Sequence, residues 1–322
     1  RLLTASETKI SRLGEVGALL QVIVVTSTAI ELTVAAFLFP RFLVLRETVG
    51  EAAWHAIFYG VSAFNNAGFV PTLGGLVEHP SDWWIGAPIL LGVALGSLGF
   101  PVILDLWRRR TNAAHWTLHT KLTLATSAVL TAAGALIIGA FEWTNPESFG
   151  RLDGSGKVLA SLMAGVMPRS GGFTTVPTST MHESSWLVTD ALMFVGGGSA
   201  STAGGIKVTT LAVMVLAIIA EARGDRDVEA FGRRIPRESL RLAVAVAFVG
   251  ATIVLVSSLA LLAVTGEKLD RVLFEVISAF ATVGLSTGMA LPEPAKYLLS
   301  VLMFVGRTGT MTVAAALALR DR

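Results

Sequence analysis

The chain contains no cysteine, so it can form no disulfide and offers no thiolate metal site, although this says little about compartment. Charge is scarce too: of 322 residues only 15% are Asp, Glu, Lys or Arg, against 53% apolar residues. With a mean hydropathy of +0.67 there is too little polar surface to coat a soluble globule of this size. The sequence therefore reads as a membrane protein. It also lacks any Ser/His/Asp set or metal-ligand cluster at a common depth, which argues against a membrane-embedded enzyme. His115 and His119 have helical i,i+4 spacing, but they sit in a basic link with no carboxylate read nearby, and no metal site is expected there.

What is present is a series of apolar runs at about 16–39, 84–106, 122–141, 186–221, 241–265 and 297–319. A helix needs roughly 20 such residues to cross the hydrocarbon core. The pI of about 9.2 does not point to nucleic acid, because the net charge is only +2 and the arginines cluster in short links. Arg108, Arg109, Arg110 and Lys121 flank one link, and Arg223, Arg226, Arg233, Arg234, Arg237 and Arg241 fill another. Both are expected to be cytoplasmic, where they also meet anionic lipid. The links near 40–53, 70–83, 142–157 and 266–296 then face outward. The chain opens at Arg1 with neither methionine nor a signal-peptide pattern, and the expectation is of a cut through a longer protein.

A unit recurs three times: an apolar crossing, a short apolar stretch, a glycine-containing phrase and a second crossing. The short stretches, Trp54 to Phe64, Lys157 to Met167 and Leu269 to Phe280, suit helices that dip only part-way into the bilayer. Behind them come "NNAGF" (Asn65 to Phe69), "RSGGFTT" (Arg169 to Thr175) and "TVGLSTG" (Thr282 to Gly288), aligned on Gly68, Gly172 and Gly284. Any one of these glycines could be a plain loop breaker. Three at equivalent positions imply a shared lining, since non-helical backbone at membrane depth must be enclosed by protein or face a water-filled cavity.

Glycine allows positive φ and lets neighbouring carbonyls turn to an axis, where they replace the water around a cation. The lining is expected from Asn66, Ala67 and Gly68, from Ser170, Gly171 and Gly172, and from Thr282, Val283 and Gly284. The phrases hold no Asp or Glu, so selection would rest on backbone dipoles and on short helices aiming their negative ends inward.

"SAFNNAGF", "RSGGFTT", "GGGSASTAGGIK" (Gly196 to Lys207), "SAFATVGLSTG" and "GRTGTMT" (Gly306 to Thr312) together resemble the Trk/Ktr/HKT superfamily of potassium transporters. The likeness is nearest to the membrane subunit of bacterial Ktr systems and covers nearly the whole chain. It implies an all-α membrane protein of helix–pore-helix–helix units around a central pore, with three of the expected four repeats present and the first missing. The units would be 1–110 (second repeat, with a preceding cytoplasmic link), 111–230 (third repeat, with a broken second helix) and 231–322 (fourth repeat). It also implies a multi-pass protein of the bacterial plasma membrane, K⁺ at the carbonyls near Gly68, Gly172 and Gly284, no cofactor in this chain, a homodimer, and a cytosolic nucleotide-binding regulatory ring as partner.

The run 186–221 is longer than a bilayer needs, and its glycine-rich centre would cost roughly 1 kcal/mol per glycine as a helix interior. A break is expected there, and it is read as the only one in the chain. A phosphate-binding loop fails, because Ile206 separates Gly205 from Lys207. By the resemblance, Gly198, Ser199, Ala200, Ser201, Thr202, Ala203, Gly204, Gly205 and Lys207 form an intramembrane gate. Arg307, a charge within the last apolar run, would approach it.

Glu31 and Glu275 are expected to tie pore helices to their surroundings, and Asp190 receives no role. The overall expectation is a K⁺ uptake pore. The rival is a Na⁺-selective pathway, or a Na⁺-coupled secondary transporter with a midplane site at the broken helix.

Overall fold

The structure, a computed structural model, describes residues 13–45, 47–109 and 113–320; side chains are described from Leu20 in the first helix and to Thr308 in the last. Arg1 with the link up to residue 12, and Arg110, lie outside the described residues. Eleven α-helices carry the fold among the described residues. A long helix, a short helix and a return helix follow one another three times: α1 (Leu13–Val44), α2 (Val49–Phe64) and α3 (Trp83–Leu98); α5 (Leu118–Glu142), α6 (Gly154–Val166) and α7 (Glu183–Phe194); α9 (Arg237–Thr265), α10 (Leu269–Phe280) and α11 (Glu293–Arg320). Two further helices, α4 (Phe100–Arg109) and α8 (Val208–Arg223), extend the returns of the first and second sets.

The packing is inverted relative to a soluble domain. Apolar side chains such as Val24 on α1, Leu136 on α5 and Phe248 on α9 point outward at 61%, 72% and 72% exposure, while Glu142, Thr123 and Ser170 are fully buried. Such a surface suits hydrocarbon rather than water. Residues 20–44, 118–142 and 237–265 are each long and apolar enough to cross a membrane.

The apolar run at 84–106 departs from expectation. Its helices α3 and α4 are bent by 98° at Gly99, so the break in 186–221 is not the only one. Gly99 adopts φ of +92°, and a Cβ there would collide with the Ser199 carbonyl. Pro101 has no N–H to give to Ser97 O, so a straight helix would leave that carbonyl unpaired. Instead Gly198 N donates to it at 2.7 Å.

Local chemistry sets the short helices. Thr48 and Glu51 form a reciprocal capping box at the start of α2, with Thr48 N donating to Glu51 Oε2 at 3.0 Å. Asp153 caps α6 by accepting from Gly156 N at 3.1 Å. Hydrogen bonds from the Ser81 and Ser155 hydroxyls and that N–H hold its carboxyl down to about 2. The basic link after α8 folds into a two-residue β-hairpin, Glu229–Ala230 against Arg233–Arg234, which a purely helical reading omits. Phe231 and Gly232 at its turn both have positive φ, as a tight hairpin requires.

Three carboxylates, of which Glu142 and Glu275 are buried, fasten the helices. Glu31 Oε1 accepts from Asn65 Nδ2 at 2.7 Å, and Glu275 Oε1 accepts from Ser286 Oγ at 2.7 Å and Thr287 N at 2.8 Å, as expected of both. Glu142, which the sequence did not single out, does the same in the second unit: it accepts from Asn145 Nδ2 at 2.6 Å, His182 N at 2.8 Å and the hydroxyls of Ser148 and Ser185. Glu142→Ala strands His182 N and the Ser148 and Ser185 hydroxyls, while Asn145 Nδ2 keeps Thr180 O, and a loss on the order of 3 kcal/mol is expected. Thermal unfolding in detergent checks this; a melting point equal to wild type would contradict it.

Candidate functional site

The three short helices end in the same backbone turn. Two residues before each marked glycine the chain already has positive φ: Asn66 at 53°, Ser170 at 72° and Thr282 at 50°. The glycines follow at 71° (Gly68), 74° (Gly172) and 90° (Gly284). Sequence reasoning placed Asn66, Ser170 and Thr282 in the lining but anticipated positive φ only at the glycines. Only Asn66 gave a signal there, because Asn tolerates the left-handed region while Ser and Thr enter it at a cost. Strain of this kind persists where surrounding structure enforces it.

These turns converge. A Cβ built on Gly68 would fall 2.9 Å from Gly172 Cα and 3.1 Å from Gly171 O. One built on Gly172 would fall 3.0 Å from Gly68 Cα and would collide with Val283 O. Gly284 is looser, its nearest neighbour in the same test being Gly172 Cα at 4.0 Å. The backbones thus meet face to face, with carbonyls of Gly171 and Val283 at the meeting point.

Hydroxyls brace the turns from behind. Ser62 Oγ donates to Phe69 O at 2.8 Å, and Ser278 Oγ donates to Leu285 O at 2.6 Å, in equivalent positions. The middle phrase uses Ser170, whose Oγ donates to Thr282 O at 2.9 Å and accepts from Gly204 N at 3.2 Å. One hydroxyl therefore links two phrases and the glycine-rich segment, a junction made by residues more than 100 apart in sequence for the first pair.

That segment, residues 195–207, breaks the second unit's return helix as expected. It closes on itself where Gly196 N donates to Ile206 O at 2.8 Å, and it fills the bend at Gly99: Thr202 N reaches Gly96 O at 3.3 Å and Phe100 N reaches Ala200 O at 3.3 Å. Thr202 Oγ1 donates to Phe64 O, the last residue of α2, at 3.0 Å. Two cations hold consecutive carbonyls, with Lys207 Nζ donating to Ala203 O at 2.8 Å and the Arg307 guanidinium donating to Thr202 O. Of the expected residues, Gly68, Ser170, Gly171, Gly172, Thr282, Val283 and Gly204 meet at the converging turns, and Thr202, Ala203, Lys207 and Arg307 join through the contacts of the glycine-rich segment.

Two expectations need correction or addition. His119 does have a carboxylate nearby: Asp105, on α4, lies within its electrostatic reach and accepts from Thr117 N at 2.9 Å and Thr120 Oγ1 at 2.6 Å. The bend at Gly99 brings α4 back against α5, which a straight span would not do. Asp190 is buried with Oδ1 unpartnered. A groove of about 480 Å³ between α1 and α3, lined by Phe37, Trp83, Trp84 and Leu91, is almost wholly apolar and lies apart from the converging turns.

A family model described as "Cation transport protein" (TrkH) matches residues 3–320. The chain is 34% identical over 278 residues to the Ktr system potassium uptake protein B of Vibrio alginolyticus, covering 84% of this chain and 61% of that protein. It is 35% identical over 302 residues to the Ktr system potassium uptake protein B of Bacillus subtilis, covering 93% and 67%. The fold is similar to the crystal structure of the potassium transporter TrkH from Vibrio parahaemolyticus, with a TM-score of 0.76, 17% identity and coverage of 95% of this chain and 64% of that one. The chain thus spans about two thirds of the length of these relatives.

Proposed function

The chain belongs to the TrkH family of cation transport proteins, and on that premise we propose that it forms most of the pore of a K⁺ uptake system. The cation enters from outside, exchanges hydration water for backbone carbonyls around Gly68, Gly172 and Gly284, and passes the segment Gly198–Gly205 before reaching the cytoplasm. The three units, 1–110, 111–230 and 231–322, each contribute one turn to this filter, and a fourth turn completes it. The protein is multi-pass in the bacterial plasma membrane, pairs as a homodimer and is controlled by a cytosolic nucleotide-binding ring.

One observation carries this reading: three turns of identical backbone form, far apart in sequence, meet at their glycines with carbonyls between them. A secondary transporter gains some support from the second break at Gly99, since broken helices come in pairs in such proteins. The pore remains favoured because the element repeated three times is the re-entrant turn, whereas the two breaks differ in kind: a single-residue bend and a 13-residue loop.

Complementation of a K⁺-uptake-deficient bacterium on low-K⁺ medium tests it, using the gene with any upstream coding segment and its cytosolic partner. Wild type should restore growth, and Gly68→Asp, which adds a side chain and a charge at the meeting point, should abolish it at equal expression. Absence of rescue by wild type would move the assignment to a Na⁺ pathway.

A further inference from the structure

The position three residues before each marked glycine holds Asn65 in the first turn, Arg169 in the second and Ala281 in the third. Only the second carries a charge. Arg169 is 3% exposed, and its guanidinium donates to Thr131 Oγ1 on α5 at 2.5 Å while Nε finds no partner. Among the described residues it forms no ion pair. An arginine stays protonated under all ordinary conditions, so a full positive charge without a carboxylate partner sits in low dielectric just past the C-terminal end of α6.

That place is unusual on physical grounds. The turns that follow α2 and α10 hold Asn65 and Ala281 at the equivalent position, whereas Arg169 offsets the negative dipole end of α6. Its side chain reaches away towards α5, so it does not line the path; its field acts through the protein.

We propose that Arg169 is a specificity-determining residue that rejects divalent cations at the converging turns. This rests on the cation-path assignment for those turns. The repulsion is proportional to the charge of the ion, so if it weakens monovalent binding by some factor, it weakens divalent binding of similar size by the square of that factor. A site of aligned carbonyls otherwise favours the more highly charged ion. A fixed positive charge beside it reverses that order and also keeps monovalent occupancy weak enough for release.

The test measures cation-dependent thermal stabilisation of the purified full chain, titrated separately with K⁺ and with Ba²⁺, a divalent ion of nearly the same radius. Arg169→Gln should lower the half-saturating concentration about threefold for K⁺ and about tenfold for Ba²⁺. Arg169→Lys, which keeps the charge, should match wild type. Thr131→Asp retains the arginine but pairs it in place, and should shift both ions in the same sense as Arg169→Gln; it serves if the glutamine variant does not fold. Equal changes for the two ions, or a lysine variant that behaves like glutamine, would overturn the proposal. A wild-type chain with no K⁺-dependent stabilisation would overturn the cation path itself, whereas K⁺ binding without the divalent asymmetry would overturn the role of Arg169 alone.

Discussion

Gly172→Ala should reduce Rb⁺ or K⁺ uptake by at least tenfold at wild-type expression. Two independent obstacles act at this position. Its φ of +74° costs an L-residue on the order of 1–2 kcal/mol. The methyl group would also need the space now taken by Val283 O and Gly68 Cα, both backbone atoms of the other turns. Backbone cannot swing aside as a flexible side chain can, so the turns must separate, and carbonyls that separate can no longer replace a hydration shell together.

Gly284 provides the control. Its φ of +90° carries a similar conformational cost, but no atom lies closer than 4.0 Å to the added carbon. Gly284→Ser should therefore leave more transport than Gly172→Ala while lowering the preference for K⁺ over Na⁺. Competition uptake assays read both. Selectivity untouched in Gly284→Ser would count heavily against Gly284 as part of the filter.

Arg307→Gln should raise basal cation flux several-fold in cells lacking the cytosolic partner. The segment between α7 and α8 is anchored at consecutive carbonyls by two cations, Arg307 on Thr202 O and Lys207 on Ala203 O. Thr202 is held a second time through its hydroxyl on Phe64 O. A hydrogen bond from a charged donor contributes about 1.5–3 kcal/mol, enough to shift the released population by roughly tenfold or more when it is lost. The remaining contacts limit the gain to less than full opening. Lys207→Met should act in the same direction, and removal of both cations should exceed either alone. Flux at or below the wild-type level in all three variants would exclude this segment as a barrier.

Much of the fold was legible because its signals are local. The short helices were legible to within about five residues of their ends from apolar length and the glycines that follow them, whereas the caps Thr48 and Asp153 went unread. The bend at Gly99 was missed although Gly99 and Pro101 marked it. Within an unbroken apolar run those two residues were outweighed by hydropathy, and the donor that makes the bend tolerable, Gly198 N, lies about 100 residues away. The proximity of Asp105 to His119 was lost for the same reason, because it exists only once α4 folds back.

The sequence by itself determined the membrane setting, the three recurring units and the glycines that need left-handed backbone, because composition, periodicity and the lack of a Cβ act residue by residue. Only the tertiary structure decided that Ser170 ties two turns to the glycine-rich segment, that Glu142 collects four donors and that the Arg169 guanidinium donates to a threonine hydroxyl and pairs with no carboxylate. Those are pairings between distant parts of the chain. A single sequence names the donors and acceptors, but in a medium without water it is the packing that settles which of them meet.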